Sequence, residues 1–97
     1  MNKIDVISID QLVSQVEGNI VSDMNGEKVM LNVTNGKYYN FGILGGEIWG
    51  EVEEGISIRA LVTKLVDRYE VREKECEEQT LAFINQLAKE GLIRLHE

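Results

Sequence analysis

Few side chains in this sequence are suited to acid, base or nucleophilic chemistry, and they are far apart. The 97-residue chain has one histidine, His96, and one cysteine, Cys76. We expect His96 to be solvated near a fraying chain end rather than to act as a base or metal ligand. Cys76 lies between two glutamates with no histidine near it in sequence, and this favours a buried or half-buried thiol over a nucleophile. The sequence therefore predicts no catalytic residue and no enzyme.

Glutamates are the most numerous charged residues, and two groups of them stand out. One group lies at 51–54 and the other at 73–78, both at spacings that predict solvated helix faces rather than acid/base pairs. The second group also suits the positive end of a helix dipole. No spacing matches a calcium loop or a dinucleotide-binding fingerprint, so we expect neither a metal nor a cofactor.

The charge balance excludes several classes of partner. Ten basic residues against 17 acidic residues give a net charge of -7 and a pI near 4.7, which disfavours binding to nucleic acid or to anionic membranes.

The single cysteine excludes an internal disulfide. No apolar run approaches the roughly 20 residues that cross a bilayer, and no secretion signal is visible. We expect a single cytoplasmic domain over residues 1–97.

The first half of the chain alternates with the period of two that is typical of strands. Strands are predicted over 19–24, 27–33 and 37–41, with Asn25-Gly26 as a tight hairpin turn between the first two. They form an antiparallel meander, and helices are expected to cover the face that bears Val29, Leu31, Val33, Tyr39 and Phe41. In the segment 1–17, residues 6–9 are compatible with a short strand and residues 10–16 with helix or extended chain.

The second half repeats apolar residues every three and four positions and predicts three helices. The first begins at Ile43 or Leu44, carries Leu44, Ile48, Trp49 and Val52 on one side, and stops before Gly55. The second begins after an N-cap at Ser57, and its apolar stripe extends to Tyr69. The third runs from about 73 to 90 and ends at Gly91, with Leu92 tucked back as in a Schellman motif. The fold class is therefore α+β.

The third predicted helix carries more apolar surface than one partner requires. Leu81, Ile84 and Ala88 form one stripe, and a second stripe about 100° away consists of Cys76, Thr80, Phe83 and Leu87. The second stripe is either one wall of a groove or the contact of a central helix with two neighbours. The opposite wall would be the strand at 37–41, whose edge has little protection against pairing with another chain. Residues 5–9 or 93–95 are the alternative partners for that edge.

The order of these segments is similar to that in a known family. The meander ending in Gly36-Lys37-Tyr38-Tyr39-Asn40-Phe41 is followed by Gly46-Glu47-Ile48-Trp49, by Glu54-Gly55-Ile56-Ser57-Ile58, and finally by residues 81–87 and 91–93. Over residues 18–95 the chain resembles the PqqD-like family of precursor-peptide (RiPP) recognition elements. Within it the chain looks most like the stand-alone members of lasso-peptide biosynthesis, because the proline-glutamate signature of the pyrroloquinoline-quinone branch is missing.

The resemblance implies a winged helix-turn-helix arrangement that binds peptide instead of DNA. It implies that a precursor's leader segment adds as a strand beside Tyr38, Tyr39, Asn40 and Phe41, opposite a wall of Cys76, Thr80, Phe83 and Leu87. It also implies a non-catalytic adaptor whose second partner is a separate leader peptidase, a transglutaminase-like cysteine protease. The alternative is a winged-helix transcription regulator, which the many glutamates of the third helix disfavour.

Overall fold

The computed structural model of the protein describes residues 7–25 and 27–96. Within these residues the chain forms, in order, strands β1 to β4, helix α1, strand β5, helices α2 and α3, and strand β6. Their bounds are β1 Leu12–Gln15, β2 Asn19–Met24, β3 Glu27–Asn32, β4 Tyr38–Phe41, α1 Gly42–Glu51, β5 Ile56–Ser57, α2 Ile58–Tyr69, α3 Glu73–Lys89 and β6 Ile93–His96. No helix in the described ranges is long and apolar enough to cross a membrane.

The strands form two antiparallel sheets of three strands each, in the orders β2-β3-β4 and β5-β1-β6. The first sheet is the predicted meander, and together with the three helices it confirms the α+β class. The second sheet was not predicted. Its central strand β1 lies at Leu12–Gln15, whereas the short strand expected at 6–9 is not present over residues 7–9, and Val6 lies outside the described residues.

Local chemistry sets the connections of the meander. Asn25 has a φ of 58°, as a tight hairpin turn requires; Gly26 lies outside the described residues. Between β3 and β4, the Asn32 side chain accepts a hydrogen bond from the Asn35 backbone N–H at 2.8 Å and donates one to Asn19 Oδ1 at 2.7 Å. These bonds satisfy a buried amide side chain and fix the register in which Met30 lies opposite Tyr39.

That register overturns the expected sheet face. Residues opposite each other in an antiparallel pair share a face, so Met30, which is fully buried, joins Tyr39 on the face that the helices cover. Val29 and Leu31 point the other way, opposite Asn40 and Tyr38. Val33 lies beyond β3 and is 59% exposed. The prediction was wrong because it assumed that apolar side chains alternate with one phase from β3 through the turn into β4. The hydrogen bonds of the Asn32 side chain instead set the register at the turn.

The helices begin and end largely as their sequence signals indicate. Ser57 caps α2 and accepts a hydrogen bond from the Ala60 N–H at 3.1 Å. Helix α3 ends in a Schellman motif, in which the N–H of Leu92 bonds to the carbonyl of Leu87 and the N–H of Gly91 to that of Ala88. Helix α1 begins at Gly42, one or two residues earlier than predicted, and ends at Glu51, earlier than the stop expected at Gly55.

The core lies between the helices and the two sheets, and its fully buried members include Val13, Met30, Ile58, Leu61, Ile84 and Leu92. The C-terminal segment belongs to β6, where it pairs with β1. His96 is therefore ordered within a strand, with its Nε2 2.7 Å from Ser14 Oγ. The expectation of a frayed histidine was wrong, because pairing with β1 ties down the chain end.

Candidate functional site

Strand β4 is the candidate binding edge of the first sheet. It pairs with β3 on one side, and no strand of the described residues pairs with its other side. Of the alternative partners expected for this edge, the tail is paired with β1 as β6, and residues 7–9 form no strand, while Asp5 and Val6 lie outside the described residues.

The hydrogen-bond pattern shows which backbone groups of β4 face this edge. The N–H of Asn32 donates to the carbonyl of Lys37 at 3.0 Å. Hydrogen-bonded and non-hydrogen-bonded pairs alternate along an antiparallel ladder, so the next residue bonded to β3 is Tyr39, opposite Met30. The backbone N–H and C=O groups of Tyr38 and Asn40 therefore point away from β3, toward the edge.

The side chains of β4 divide between two faces. Tyr38 is 73% exposed, on the face turned away from the helices. Tyr39 and Phe41 are half-buried against the core, with ring centroids 6.2 Å apart. Phe41 also contacts Trp49 of α1 and Phe83 of α3, with both centroid distances 5.5 Å. This aromatic cluster joins β4 to two helices.

Two hollows lie beside the cluster. The first, called here the edge cleft, has a volume of about 480 Å³ and runs between β4 and the C-terminal half of α3. Its lining consists of Lys37, Tyr38, Tyr39, Asn40, Phe41, Phe83, Gln86, Leu87, Glu90 and Leu92. An open strand edge on one side and an apolar helix face on the other match the geometry that accepts an extended peptide by strand addition.

One end of the edge cleft is polar. The hydroxyl of Tyr39 donates to Glu90 Oε1 at 2.9 Å, and the Lys37 ammonium lies 3.6 Å from the same oxygen. Asn35 Nδ2 in turn donates to the Tyr39 hydroxyl at 3.1 Å. These contacts fix the Tyr39 ring at the mouth of the cleft.

The second hollow, called here the helical pocket, has a volume of about 640 Å³ and lies on the other side of Phe41 and Phe83. Its lining consists of Phe41, Ile43, Leu44, Gly45, Ile48, Leu65, Tyr69, Val71, Glu75, Cys76, Gln79, Thr80 and Phe83. The volume of this pocket and its mostly apolar lining are typical of a site that binds an apolar group.

The structure brings the predicted site residues together, but in two places. Tyr38–Phe41, Phe83 and Leu87 border the edge cleft, whereas Cys76 and Thr80 border the helical pocket. Cys76, Thr80 and Leu87 are buried, so Phe83 is the member of the α3 stripe that offers the most open surface. Cys76 Sγ lies 3.8 Å from Thr80 Oγ1, which gives both side chains a partner within the helix.

Several lining residues were missed by reasoning from sequence. Tyr69 was predicted to continue the buried stripe of α2, yet it is 41% exposed and borders the helical pocket. The αL residue Glu70, with a φ of 52°, ends α2 there, and Val71 in the following turn also borders the pocket. No periodic pattern reports on a turn of this kind. Leu44, by contrast, was predicted to lie on the apolar side of α1, and it does line the helical pocket.

Close packing around Gly45 shapes both hollows. A Cβ at this position would lie 2.9 Å from Phe41 Cβ and 3.1 Å from Phe83 Cζ. Glycine therefore allows α1 to approach the two rings closely enough to leave Phe83 between the hollows.

Ion pairs fasten α1 to α2, which frame the helical pocket. Glu51 accepts hydrogen bonds from Lys64 Nζ at 3.0 Å and Arg68 Nη2 at 3.1 Å, and Arg68 also bonds Glu47. The Lys64 hydrogen bond, followed by the one from Arg68, holds the pKa of the Glu51 carboxyl below its ordinary value. The hydrogen bond to Glu51 raises the pKa of the Arg68 guanidinium above its ordinary value.

The meander, the three helices and the cleft between β4 and α3 define an α+β protein with a sheet edge open beside a helix. The family model described as "Coenzyme PQQ synthesis protein D (PqqD)" matches residues 27–93, and the chain belongs to that family. Among solved structures, "TbiB1 in Complex with the TbiA(beta) Leader Peptide" has the same fold, with a TM-score of 0.76 and 23% sequence identity over 84% of this chain and 94% of that chain. A comparison with curated protein sequences gives no match.

Proposed function

We propose that this protein is a non-catalytic recognition element, which binds the leader segment of a ribosomally made precursor peptide by strand addition to β4. The open edge of β4 beside Phe83 is the observation that carries the proposal. A leader peptide is also present in the solved structure that shares the fold. Tyr38, Tyr39, Asn40 and Phe41 supply one wall of the site, and Cys76, Thr80, Phe83 and Leu87 supply or support the other.

The chemistry of the edge suits a disordered peptide. Main-chain bonds to Tyr38 and Asn40 hold any extended sequence, while alternate side chains of the added strand enter the cleft and set specificity. Because these two residues offer two donors and two acceptors, up to about four new hydrogen bonds form, worth roughly 0.5 to 1.5 kcal/mol each. Two apolar anchors add about 1.5 to 3 kcal/mol each.

The expected affinity follows from these contributions and from the cost of ordering. The gross gain is about 5 to 12 kcal/mol, and immobilising the peptide removes several kcal/mol of it. A micromolar dissociation constant requires a net gain of about 8.2 kcal/mol, which the upper end of this range supplies, so micromolar or weaker binding is expected, together with a negative heat-capacity change from buried apolar surface. The net charge of -7 favours leaders with basic residues and an on-rate that falls with salt.

The protein itself carries out no reaction in this proposal. It raises the local concentration of precursor for a separate leader peptidase, a cysteine protease of transglutaminase-like type in lasso-peptide biosynthesis, which removes the leader. Work in the cytoplasm, where precursors are synthesised, fits this task.

Binding of synthetic peptides tests the proposal. Fluorescent peptides that correspond to the N-terminal halves of any short candidate precursor peptides encoded near this gene are titrated with the protein. We expect at least one to bind with a dissociation constant in the micromolar range, and to perturb the backbone amide resonances of Tyr38 and Asn40. Tight binding that leaves both amides unchanged would contradict strand addition to β4.

A further inference from the structure

Strand β2 forms the other edge of the first sheet, on the side away from β4. It pairs with β3, and no strand of the described residues pairs with its second side. Five of its six residues are exposed, among them Ile20 at 57%, Val21 at 41% and Met24 at 58%. Successive side chains of a strand point to opposite faces, so both faces of β2 present apolar surface to solvent. A strand of this kind is stabilised when another strand pairs with it.

The hydrogen bonds between β2 and β3 show which backbone groups face this second edge. The N–H of Val33 donates to the carbonyl of Gly18 at 3.0 Å, and bonded pairs alternate with non-bonded pairs along an antiparallel ladder. Every second residue of β2, beginning with the one after Asn19, therefore bonds to β3. The N–H and C=O groups of Asn19, Val21 and Asp23 point away from β3, toward the edge.

These three residues complement themselves when a second copy of β2 runs antiparallel to the first. A two-fold axis at Val21 places this residue opposite Val21 of the second copy, and Asn19 opposite Asp23 of the second copy. An apolar pair then lies between two pairs that each join a neutral amide to a carboxylate, so no like charges are directly opposed. A register centred on Asp23 would instead bring two carboxylates together.

The edge of β2 has little protection against such pairing. Solvent-exposed edges usually carry a lysine, a proline or a bulge. The chain has no proline, and β2 contains no lysine and pairs with β3 without a bulge. The charged residue of β2 is Asp23, and the Lys28 ammonium lies 3.2 Å from its carboxylate. This ion pair lowers the cost of covering the carboxylate.

We propose that β2 is a self-association site, at which two copies of this chain pair edge to edge about a two-fold axis at Val21. The two meanders then form one six-stranded antiparallel sheet, in which β4-β3-β2 of one copy is followed by β2-β3-β4 of the other. Both β4 strands lie at the outer ends of this sheet, and their open edges stay accessible. The dimer therefore carries two copies of the candidate site, whether or not the proposed function holds.

The contact is small, and the association is correspondingly weak. Three residues of each copy supply edge groups, whereas each partner in a standard interface supplies roughly 20 to 30 residues. The net charge of -7 on each chain opposes the approach of two copies, and salt screens this repulsion. Self-association should therefore strengthen with salt, whereas a basic peptide on the same edge would bind more weakly.

A dilution series tests the self-association. NMR spectra of the full chain are recorded between roughly 0.02 and 2 mM protein, at about 0.1 M and 0.5 M salt. We expect the amide resonances of Val21 and Asp23 to move with concentration, and the midpoint to fall at least about twofold at the higher salt. No concentration dependence at these two amides, or movement at Tyr38 and Asn40 instead, would overturn the proposal.

Cysteine crosslinking tests the register. In the proposed pair the two Val21 Cα atoms are about 5.5 Å apart, a separation that a disulfide spans, so Val21→Cys should form a covalent dimer on mild oxidation. Ser22→Cys and Asp23→Cys are the matched controls, because both residues are exposed on the same strand but lie about 7 Å or more from their own copies. Wild type, whose Cys76 is buried, should remain monomeric. Failure of Val21→Cys to crosslink, or equal crosslinking of all three variants, would contradict the register.

A charge at the two-fold axis should prevent the association. Val21→Glu opposes two carboxylates and is expected to weaken dimerisation more than tenfold at about 0.1 M salt. Val33→Glu is the matched control, because it adds the same charge at a residue that is 59% exposed and lies outside β2. Circular dichroism verifies that both variants fold. Dimerisation of folded Val21→Glu with wild-type strength would place the contact elsewhere and overturn the proposal.

Failure of this inference is distinguishable from failure of the proposed function, because β2 and β4 lie at opposite edges. A chain that shows no self-association at Val21, yet whose Tyr38 and Asn40 amides respond to a precursor peptide, would remove the dimer and leave the proposed function intact. Crosslinking of Val21→Cys alone, in a protein that binds no precursor peptide, would support the dimer and contradict the proposed function.

Discussion

Phe41 of β4 and Phe83 of α3 meet edge to face, with ring centroids 5.5 Å apart and an interplanar angle of 90°. This geometry is the favourable one for two aromatic rings, and it places the pair between the edge cleft and the helical pocket. A peptide that occupies both hollows passes over these two rings. If the proposed function holds, Phe83 is the side chain of α3 that is expected to contact the peptide most directly.

Phe83→Asp is expected to weaken peptide binding roughly 10- to 100-fold, because an apolar anchor worth about 1.5 to 3 kcal/mol is replaced by a charge. Titration of a labelled precursor peptide measures the change. Ala82→Asp is the matched control, since Ala82 is exposed on the same helix and lines neither hollow. A folded Phe83→Asp variant with wild-type affinity would exclude the edge cleft as the binding site.

A second prediction concerns the backbone of β4. Proline at Asn40 removes an N–H that points to the open edge, whereas proline at Tyr39 would remove an N–H that bonds to β3. We expect Asn40→Pro to weaken peptide binding about 2- to 12-fold, the equivalent of one hydrogen bond at 0.5 to 1.5 kcal/mol.

Asn40→Ala is the control for this change. It keeps the backbone N–H but loses the side-chain oxygen that accepts a hydrogen bond from Gly42 N–H at 2.9 Å. Loss of affinity to the same extent in both variants would indicate that the side chain of Asn40, and not its N–H, matters. Circular dichroism shows whether each variant remains folded.

Sequence patterns predicted the meander and the three helices because each of these elements has a local signal, whereas β1, β5 and β6 were not predicted. Ser57 and Gly91 mark helix ends through their own backbone chemistry, and the Asn25 turn does the same for a hairpin. The sheet face was wrong because it depends on the buried Asn32 side chain, whose bonds to Asn19 and Asn35 have no periodic signature. The prediction of a frayed chain end at His96 was wrong because β6 pairs with β1, which is about 80 residues away in the sequence.

The candidate site was predictable in part for the same reason. Tyr38–Phe41 and the stripe of α3 are visible as alternation and helical spacing, and they do lie side by side. Their separation into two hollows depends on how closely α1 approaches at Gly45 and where Glu70 ends α2. These are tertiary features, and a pattern within one element does not contain them.

The ion pairs between α1 and α2 give stability a defined pH dependence. The pKa of Glu51 is lowered in the folded protein, chiefly by the Lys64 hydrogen bond and next by that of Arg68. A group of this kind contributes stability above its ordinary pKa of 4.5, and the contribution is lost as the pH falls through the depressed folded value.

Glu51→Gln should therefore lower the free energy of unfolding at pH 7, by about 1 kcal/mol or less for partly exposed pairs, and change it little at pH 2. Urea unfolding at both pH values measures the difference. Glu54→Gln is the control, because Glu54 is exposed and forms no ion pair within the described residues. A destabilisation by Glu51→Gln that is as large at pH 2 as at pH 7 would show that packing, not charge, is responsible.

Two glycines of α1 are expected to respond in opposite ways to the same substitution. Replacing a helix glycine by alanine gains up to about 1 kcal/mol of helix propensity. At Gly50 an added Cβ meets no atom within 4 Å, so Gly50→Ala should stabilise the protein by a large part of that amount.

At Gly45 the Cβ would lie 2.9 Å from Phe41 Cβ, an atom next to the backbone that cannot turn aside, and overpacking costs about 1 to 3 kcal/mol. Gly45→Ala should therefore be destabilising on balance and should shift the Phe83 ring, which thermal unfolding and aromatic NMR spectra detect. Equal stabilisation by both substitutions would mean that α1 does not pack closely against Phe41 and Phe83, and the division between the two hollows would lose its structural basis.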